Sequence, residues 1–137
     1  MSRILWLLFL LPLTSAAQLR LAKIFKDNMV LQREEPIRIW GRAIPGQTVS
    51  LSFAGQRKSA QVQPDSSWSI TLKPLLANSR PQTLQLSSGK ENILLRNILV
   101  GDIWLCIGQS NMEWPMEREA HFREEKLSSN VRIIIPQ

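Results

Sequence analysis

The sequence predicts a mainly β fold: an antiparallel β-sandwich over residues 18–98, then the start of an α/β unit over residues 99–137. Three observations carry this. Residues 19 to about 99 read as short strands of period-two alternation, with turn residues roughly every eight to twelve positions. From residue 98 the alternation gives way to nearly continuous apolar runs, which suit strands covered on both faces. And 137 residues with 44% hydrophobic side chains are enough for a globular core of ordinary domain size.

The strands follow in order. Leu19-Arg20-Leu21 opens with alternation, and Met29-Val30-Leu31 is a short apolar patch. Ile37-Arg38-Ile39-Trp40-Gly41 alternates and stops at glycine; Pro45-Gly46 is a turn dipeptide. In Thr48-Val49-Ser50-Leu51-Ser52-Phe53 the three apolar residues share one face. Ala54-Gly55-Gln56 turns the chain, and residues 59–63 are placed to pair back as a hairpin. After the turn at Pro64-Asp65-Ser66-Ser67, Trp68, Ile70 and Leu72 alternate with Ser69 and Thr71. Leu84 and Leu86 repeat the pattern before Ser88-Gly89-Lys90. Strands of this kind bury one face and wet the other. Trp40 and Trp68 sit on such strands, which predicts core positions; a sugar-stacking platform is the other use for such rings.

Ile98-Leu99-Val100 and residues 103–107 then read as buried strands, followed by the polar turn Gly108-Gln109-Ser110-Asn111. Residues 116–127 favour a helix by propensity. Residues 131–135 read as another buried strand stopped by Pro136. The tail is thus one opening β-α-β unit. Two parallel strands and one helix cannot cover both faces of a sheet, so the unit is expected to be an incomplete part of a larger domain.

The first 17 residues have the order of a secretory signal: a basic start at Arg3, an apolar run from Ile4 to Leu13, and small residues up to Ala17. Cleavage there leaves Gln18 first and implies export to the periplasm, the lumen or the exterior. A membrane anchor is the alternative, but the run is about ten residues and a spanning helix needs roughly 20. No membrane span is expected after signal removal. The net charge of +6 falls to +5 without Arg3. The basic residues are scattered singly, apart from Arg57-Lys58, with no basic helical stripe, so a nucleic-acid partner is not expected. The single cysteine, Cys106, excludes an internal disulfide and sits in an apolar run as a small hydrophobe; a reactive thiol is the other option.

Chemistry in open α/β sheets gathers at the C-terminal ends of strands. Ser110 stands at such an end. Gly108 permits a sharp turn and close approach of a substrate to the backbone, and backbone N–H groups beyond the turn can hold a developing oxyanion. On spacing alone a cap or turn role for the serine competes. The G-x-S-x-G pattern is not met either, because Met112 holds its last position.

The run Gly101-Asp102-Ile103-Trp104-Leu105-Cys106-Ile107-Gly108-Gln109-Ser110-Asn111-Met112-Glu113 resembles the nucleophile block of the sialate O-acetylesterases, within the SGNH-type hydrolases. Phe25-Lys26-Asp27-Asn28-Met29-Val30-Leu31-Gln32-Arg33, Pro36-Ile37-Arg38-Ile39-Trp40-Gly41 and Pro45-Gly46 resemble the start of that family's β-rich N-terminal domain. One departure is Asp65-Ser66-Ser67-Trp68, where the family pattern is Asp-Gly-x-Trp. The resemblance implies a carbohydrate esterase of N-terminal sandwich plus SGNH-like domain. Ser110 would attack the acetyl carbonyl of an O-acetylated sialic acid or other acetylated glycan. Gly108, Gln109 and Asn111 would support the loop and the oxyanion. No cofactor or metal is implied.

The remaining machinery is not evident. The one histidine is His121. A general base must come within about 2.6–3.2 Å of the serine oxygen, whereas eleven helical steps span roughly 16 Å. His121 therefore reads as an exposed helix residue. None of Asp27, Asp65 and Asp102 stands three positions before a histidine, the arrangement the family uses. No Cys/His cluster has metal-ligand spacing. The leading expectation is an esterase fragment with little or no activity alone. The competing readings are a non-catalytic carbohydrate-binding or adaptor sandwich, and an inert remnant whose sandwich folds while its tail does not.

Overall fold

The computed structural model describes residues 18–105, 107, 108 and 118. The expected signal segment, Cys106, the helix at 116–127 with His121, and the strand at 131–135 lie outside the described residues.

Among the described residues eight strands build two sheets: β1 (Arg20–Leu21), β2 (Val30–Gln32), β3 (Ile37–Arg42), β4 (Thr48–Phe53), β5 (Gln56–Gln61), β6 (Ser67–Leu72), β7 (Asn78–Ser88) and β8 (Glu91–Gly101). One sheet is three-stranded, β1-β3-β6; the other is five-stranded, β2-β8-β7-β4-β5. The mainly β, two-sheet architecture expected from the alternation is what the chain forms. The core lies between the sheets, where Ile39, Val49, Leu51, Phe53, Leu72, Leu84, Leu86 and Ile98 are fully buried.

Local chemistry sets the hairpins. β4 and β5 meet at Phe53↔Gln56, leaving the two-residue loop Ala54-Gly55, with both residues at positive φ (47° and 77°). That is the turn whose twist matches the flanking strands. The β7–β8 loop is Gly89-Lys90, with Gly89 supplying the positive φ at its first position. Gly41 serves a different end: a Cβ there would lie 1.9 Å from the Arg20 carbonyl oxygen, so a bare backbone is needed for β1 to pair with β3.

β7 and β8 are longer than the period-two pattern suggests. The β7–β8 register slips between Asn78 and Leu84, in the stretch that holds Pro81. Proline cannot donate to the ladder and is tolerated at such irregular points. Opposite, Asn97 takes a left-handed φ of 58°. The slip changes which residues face inward. Ile93 and Leu95 pack on the core before it, and Ile98 and Val100 after it.

Two expectations for residues 98–107 are corrected. Ile98-Leu99-Val100 is buried on both faces, as expected, but it closes β8 of the sandwich rather than opening a separate sheet. Its parallel neighbour is β2, in the register Val30↔Leu99 and Leu31↔Val100. Residues 103–105 and 107 are not a buried strand. Ile103 is 57% exposed and Trp104 84%, with Leu105 and Ile107 similarly open. No described strand pairs with them, and a strand wetted on both sides has no apolar burial to hold it. Among the described residues no helix is long and apolar enough to cross a membrane.

Candidate functional site

The described chain ends its regular structure at Gly101, and the segment leading to Ser110 departs from there. β2 and the residues after it hold this departure point. The Arg33 amide donates to the Gly101 carbonyl at 2.9 Å, and Arg33 Nε donates to Asp102 Oδ1 at 2.8 Å. The Ile103 amide donates to Gln32 Oε1 at 2.9 Å. Three successive residues of the exit are thus fixed by Gln32, which closes β2, and Arg33, which follows it. The Asp102 hydrogen bond, and then its charge, raise the Arg33 guanidinium further above its already high range. The next turn, Glu34, keeps its place through its amide to the Leu75 carbonyl at 2.8 Å, with Glu34 at a positive φ of 60°.

A second set of bonds secures the bulge in β8. The Arg96 amide donates to Asp27 Oδ1 at 2.7 Å, and the Asn28 amide donates to the Arg96 carbonyl at 3.0 Å. Asn97 Nδ2 donates to Asn28 Oδ1. The Leu99 amide reaches the Met29 carbonyl at 3.1 Å. The segment from Asp27 to Arg33 therefore runs alongside the last half of β8 and the residues after it. Asp27 is thereby a turn acceptor, and Asp102 an ion-pair partner.

Gly108 is exposed and outside any strand. Gln109, Ser110 and Asn111, the other residues the sequence picks out, lie outside the described residues. Sequence reading did not single out Gln32, Arg33 or Asp27 as positioning groups. The available signal was their place in the Phe25–Arg33 segment that carries the resemblance. Among the described residues no group of three or more His, Cys, Asp or Glu side chains gathers as a metal site requires.

No protein-family profile matches the chain. It is 35% identical over 109 residues to the sialate O-acetylesterase of Mus musculus and 36% identical over 104 residues to that of Homo sapiens. These matches cover 72% and 69% of the chain and 20% of either relative. The fold superposes on a carbohydrate acetylesterase from Xanthomonas citri with a TM-score of 0.70 and 31% identity, over 77% of this chain and 24% of that one. The chain is a relative of the sialate O-acetylesterases. It spans about a fifth of the length of the curated relatives it matches.

The one noted departure from the sialate O-acetylesterase pattern now has a structural meaning. Ser66, where that pattern has glycine, adopts a left-handed φ of 69°. The Asp65 carboxylate closes the same turn, accepting from the Ser67 amide at 2.9 Å and the Ser67 hydroxyl at 2.6 Å. Those bonds hold the Asp65 carboxyl below its ordinary value. The two tryptophans separate. Trp68 is a core residue, 2% exposed. Trp40 corrects the expectation: it is 41% exposed, because it shares the parity of Arg38 while Ile37 and Ile39 take the inner face.

Proposed function

We propose that this chain carries the nucleophile-bearing part of an exported, serine-dependent carbohydrate O-acetylesterase, with Ser110 as the nucleophile. The observation that carries the reading is the relationship to sialate O-acetylesterases at about a third identity across most of the described chain. The anchored exit from β8 supports it: Gln32 and Arg33 fix the direction in which the chain leaves toward Gly108.

In this reading Ser110 Oγ attacks the acetyl carbonyl of an O-acetylated sialic acid or a related sugar. A general base takes the hydroxyl proton as the C–O bond forms. The tetrahedral oxyanion is held by the Ser110 backbone N–H, with Gly108, Gln109 and Asn111 shaping the loop. Collapse of that intermediate expels the sugar oxygen, which receives the proton. Water then attacks the acetyl-serine and releases acetate. The chain's one imidazole is His121, and its position in sequence does not direct it at Ser110, so the base and its orienting carboxylate are expected from outside these 137 residues. Residues 1–17 act as the export signal, and the residues beyond β8, 102–137, belong to an SGNH-like domain.

A transplant tests this. Residues of this chain replace the matching segment of the mouse sialate O-acetylesterase, and acetate release from an O-acetylated sialoside is measured. Activity that is retained, and lost on Ser110→Ala, is the expected result. A folded chimera that is inactive, or one whose activity is unchanged by Ser110→Ala, overturns the assignment. The 137-residue chain alone is expected to show little or no turnover of an acetyl ester. Turnover abolished by both Ser110→Ala and His121→Ala would make His121 the base.

A further inference from the structure

The outer face of the three-stranded sheet gathers three cations around one exposed aromatic ring. Arg38, Trp40 and Arg42 alternate along β3 with the inward residues Ile37 and Ile39, and all three are exposed. Arg20 of β1 stands directly opposite Arg42, which puts both guanidinium groups on one face. Like charges so placed repel. Among the described residues Arg20 and Arg38 have no ion pair. Asp65 is the carboxylate that feels one of the three, Arg42, and it is already engaged by Ser67.

Beside this array lies a depression of about 280 Å³ lined by Arg38, Trp40, Gln61, Gln63, Ser67 and Ser69. Phe25 and Trp40 form a T-shaped pair, with centroids 4.7 Å apart and planes at 81°, which steadies the indole. The depression sits just below the range of drug-sized pockets, a size suited to one sugar ring. Its lining supplies an aromatic face for the C–H side of a pyranose. It also supplies amides and hydroxyls for the ring's hydroxyl groups, and the Arg38 guanidinium fork for a carboxylate.

We propose that this face is a non-catalytic binding site for a carboxylate-bearing sugar, one ring of an acidic glycan. The site stands apart from the reading of Ser110 and does not depend on it. A nucleic-acid strand is the poorer fit. It calls for a basic groove tracking several phosphates with successive stacking rings, whereas here one ring faces one shallow depression.

The test is titration of the 137-residue chain with glucuronate and with glucose, which has the same ring without the carboxylate. The Trp40 indole N–H and Arg38 Nε–H resonances are followed by NMR. Glucuronate is expected to shift both saturably, and glucose to bind at least about tenfold more weakly. Trp40→Ala and Arg38→Gln, at exposed positions, are each expected to weaken glucuronate about tenfold while leaving the thermal midpoint close to that of the parent. Absence of a saturable shift, or binding untouched by both variants, overturns the site. Equal binding of glucose overturns the carboxylate requirement. Tighter binding of a single-stranded oligonucleotide, lost in the same two variants, overturns the sugar in favour of nucleic acid.

Discussion

Arg33 Nε donates to Asp102 Oδ1 at 2.8 Å across sixty-nine residues of chain, tying the turn after β2 to the first residue beyond β8. Both side chains are substantially exposed, so the pair adds little to overall stability and is weakened by salt. Its effect is directional. Together with Gln32, it fixes how the chain leaves the sandwich toward Gly108.

Gln32→Ala is therefore expected to leave the global unfolding transition nearly unchanged while freeing the Ile103 amide. Native-state hydrogen exchange at Ile103 should quicken by about two- to tenfold, the factor matching the net worth of one hydrogen bond. Asp102→Asn should raise the Ile103 rate by less, and the excess should vanish in high salt. Unchanged exchange at Ile103 in Gln32→Ala would show that the exit is held by other contacts.

The Asp65 turn gives a pH signature. The Ser67 hydroxyl, then its amide, lowers the Asp65 pKa from its ordinary 3.8. A depressed folded value means the turn's contribution is complete above the unfolded value of about 3.9 and is lost as pH falls through the lower folded value. Ser67→Ala removes the larger of the two causes. The Asp65 carboxyl carbon should then titrate at higher pH than in the parent, closer to 3.8. The stability difference between the two proteins should be present at neutral pH and fade in strong acid. A midpoint that stays put or falls would contradict the role given to the hydroxyl.

Ser66 makes the neighbouring prediction. Its φ of 69° is left-handed, a region that costs a residue with a Cβ roughly 1–2 kcal/mol. Glycine relieves that strain but brings a freer unfolded chain, at about 0.4–1 kcal/mol. Ser66→Gly is expected to stabilise by about 0.5–1 kcal/mol, read as a higher urea midpoint at constant m-value. A lower midpoint would show that serine is already suited to this turn.

The sandwich is legible in the sequence because most of its strands keep strict alternation. Val49, Leu51 and Phe53, and then Trp68, Ile70 and Leu72, are inward as the pattern demands. The core position expected for Trp40 is wrong: it shares the parity of the exposed Arg38, and strand parity outweighs the general tendency of a large aromatic to be buried. β8 is harder. Residues 91–97 face in on Ile93 and Leu95, and the bulge at Asn97 then shifts the phase to Ile98 and Val100, so no single period runs through the strand. Polar pairs such as Gln32 with Ile103 and Asp27 with Arg96 join residues about seventy positions apart, and local pattern carries no trace of such contacts. Residues 103–105 and 107 show the converse limit: composition fits a buried strand, but burial requires neighbours, and among the described residues none covers them.

Trp68 offers a cleaner measurement of packing than any surface residue. Its side chain is 2% exposed, and its Nε1–H is buried without a hydrogen-bond acceptor among the described residues. A buried donor left unpaired costs about 1–3 kcal/mol relative to one that is satisfied. Trp68→Ala loses the ring and leaves a cavity, so it should destabilise by about 3–5 kcal/mol. Trp68→Phe loses part of the ring volume but also removes the stranded donor. The two effects oppose, and the net loss is expected to stay below about 1.5 kcal/mol. Urea unfolding of the two variants separates them. A phenylalanine variant as unstable as the alanine one would mean that the indole N–H is satisfied in solution, and that the donor, not the ring's bulk, holds this corner of the core together.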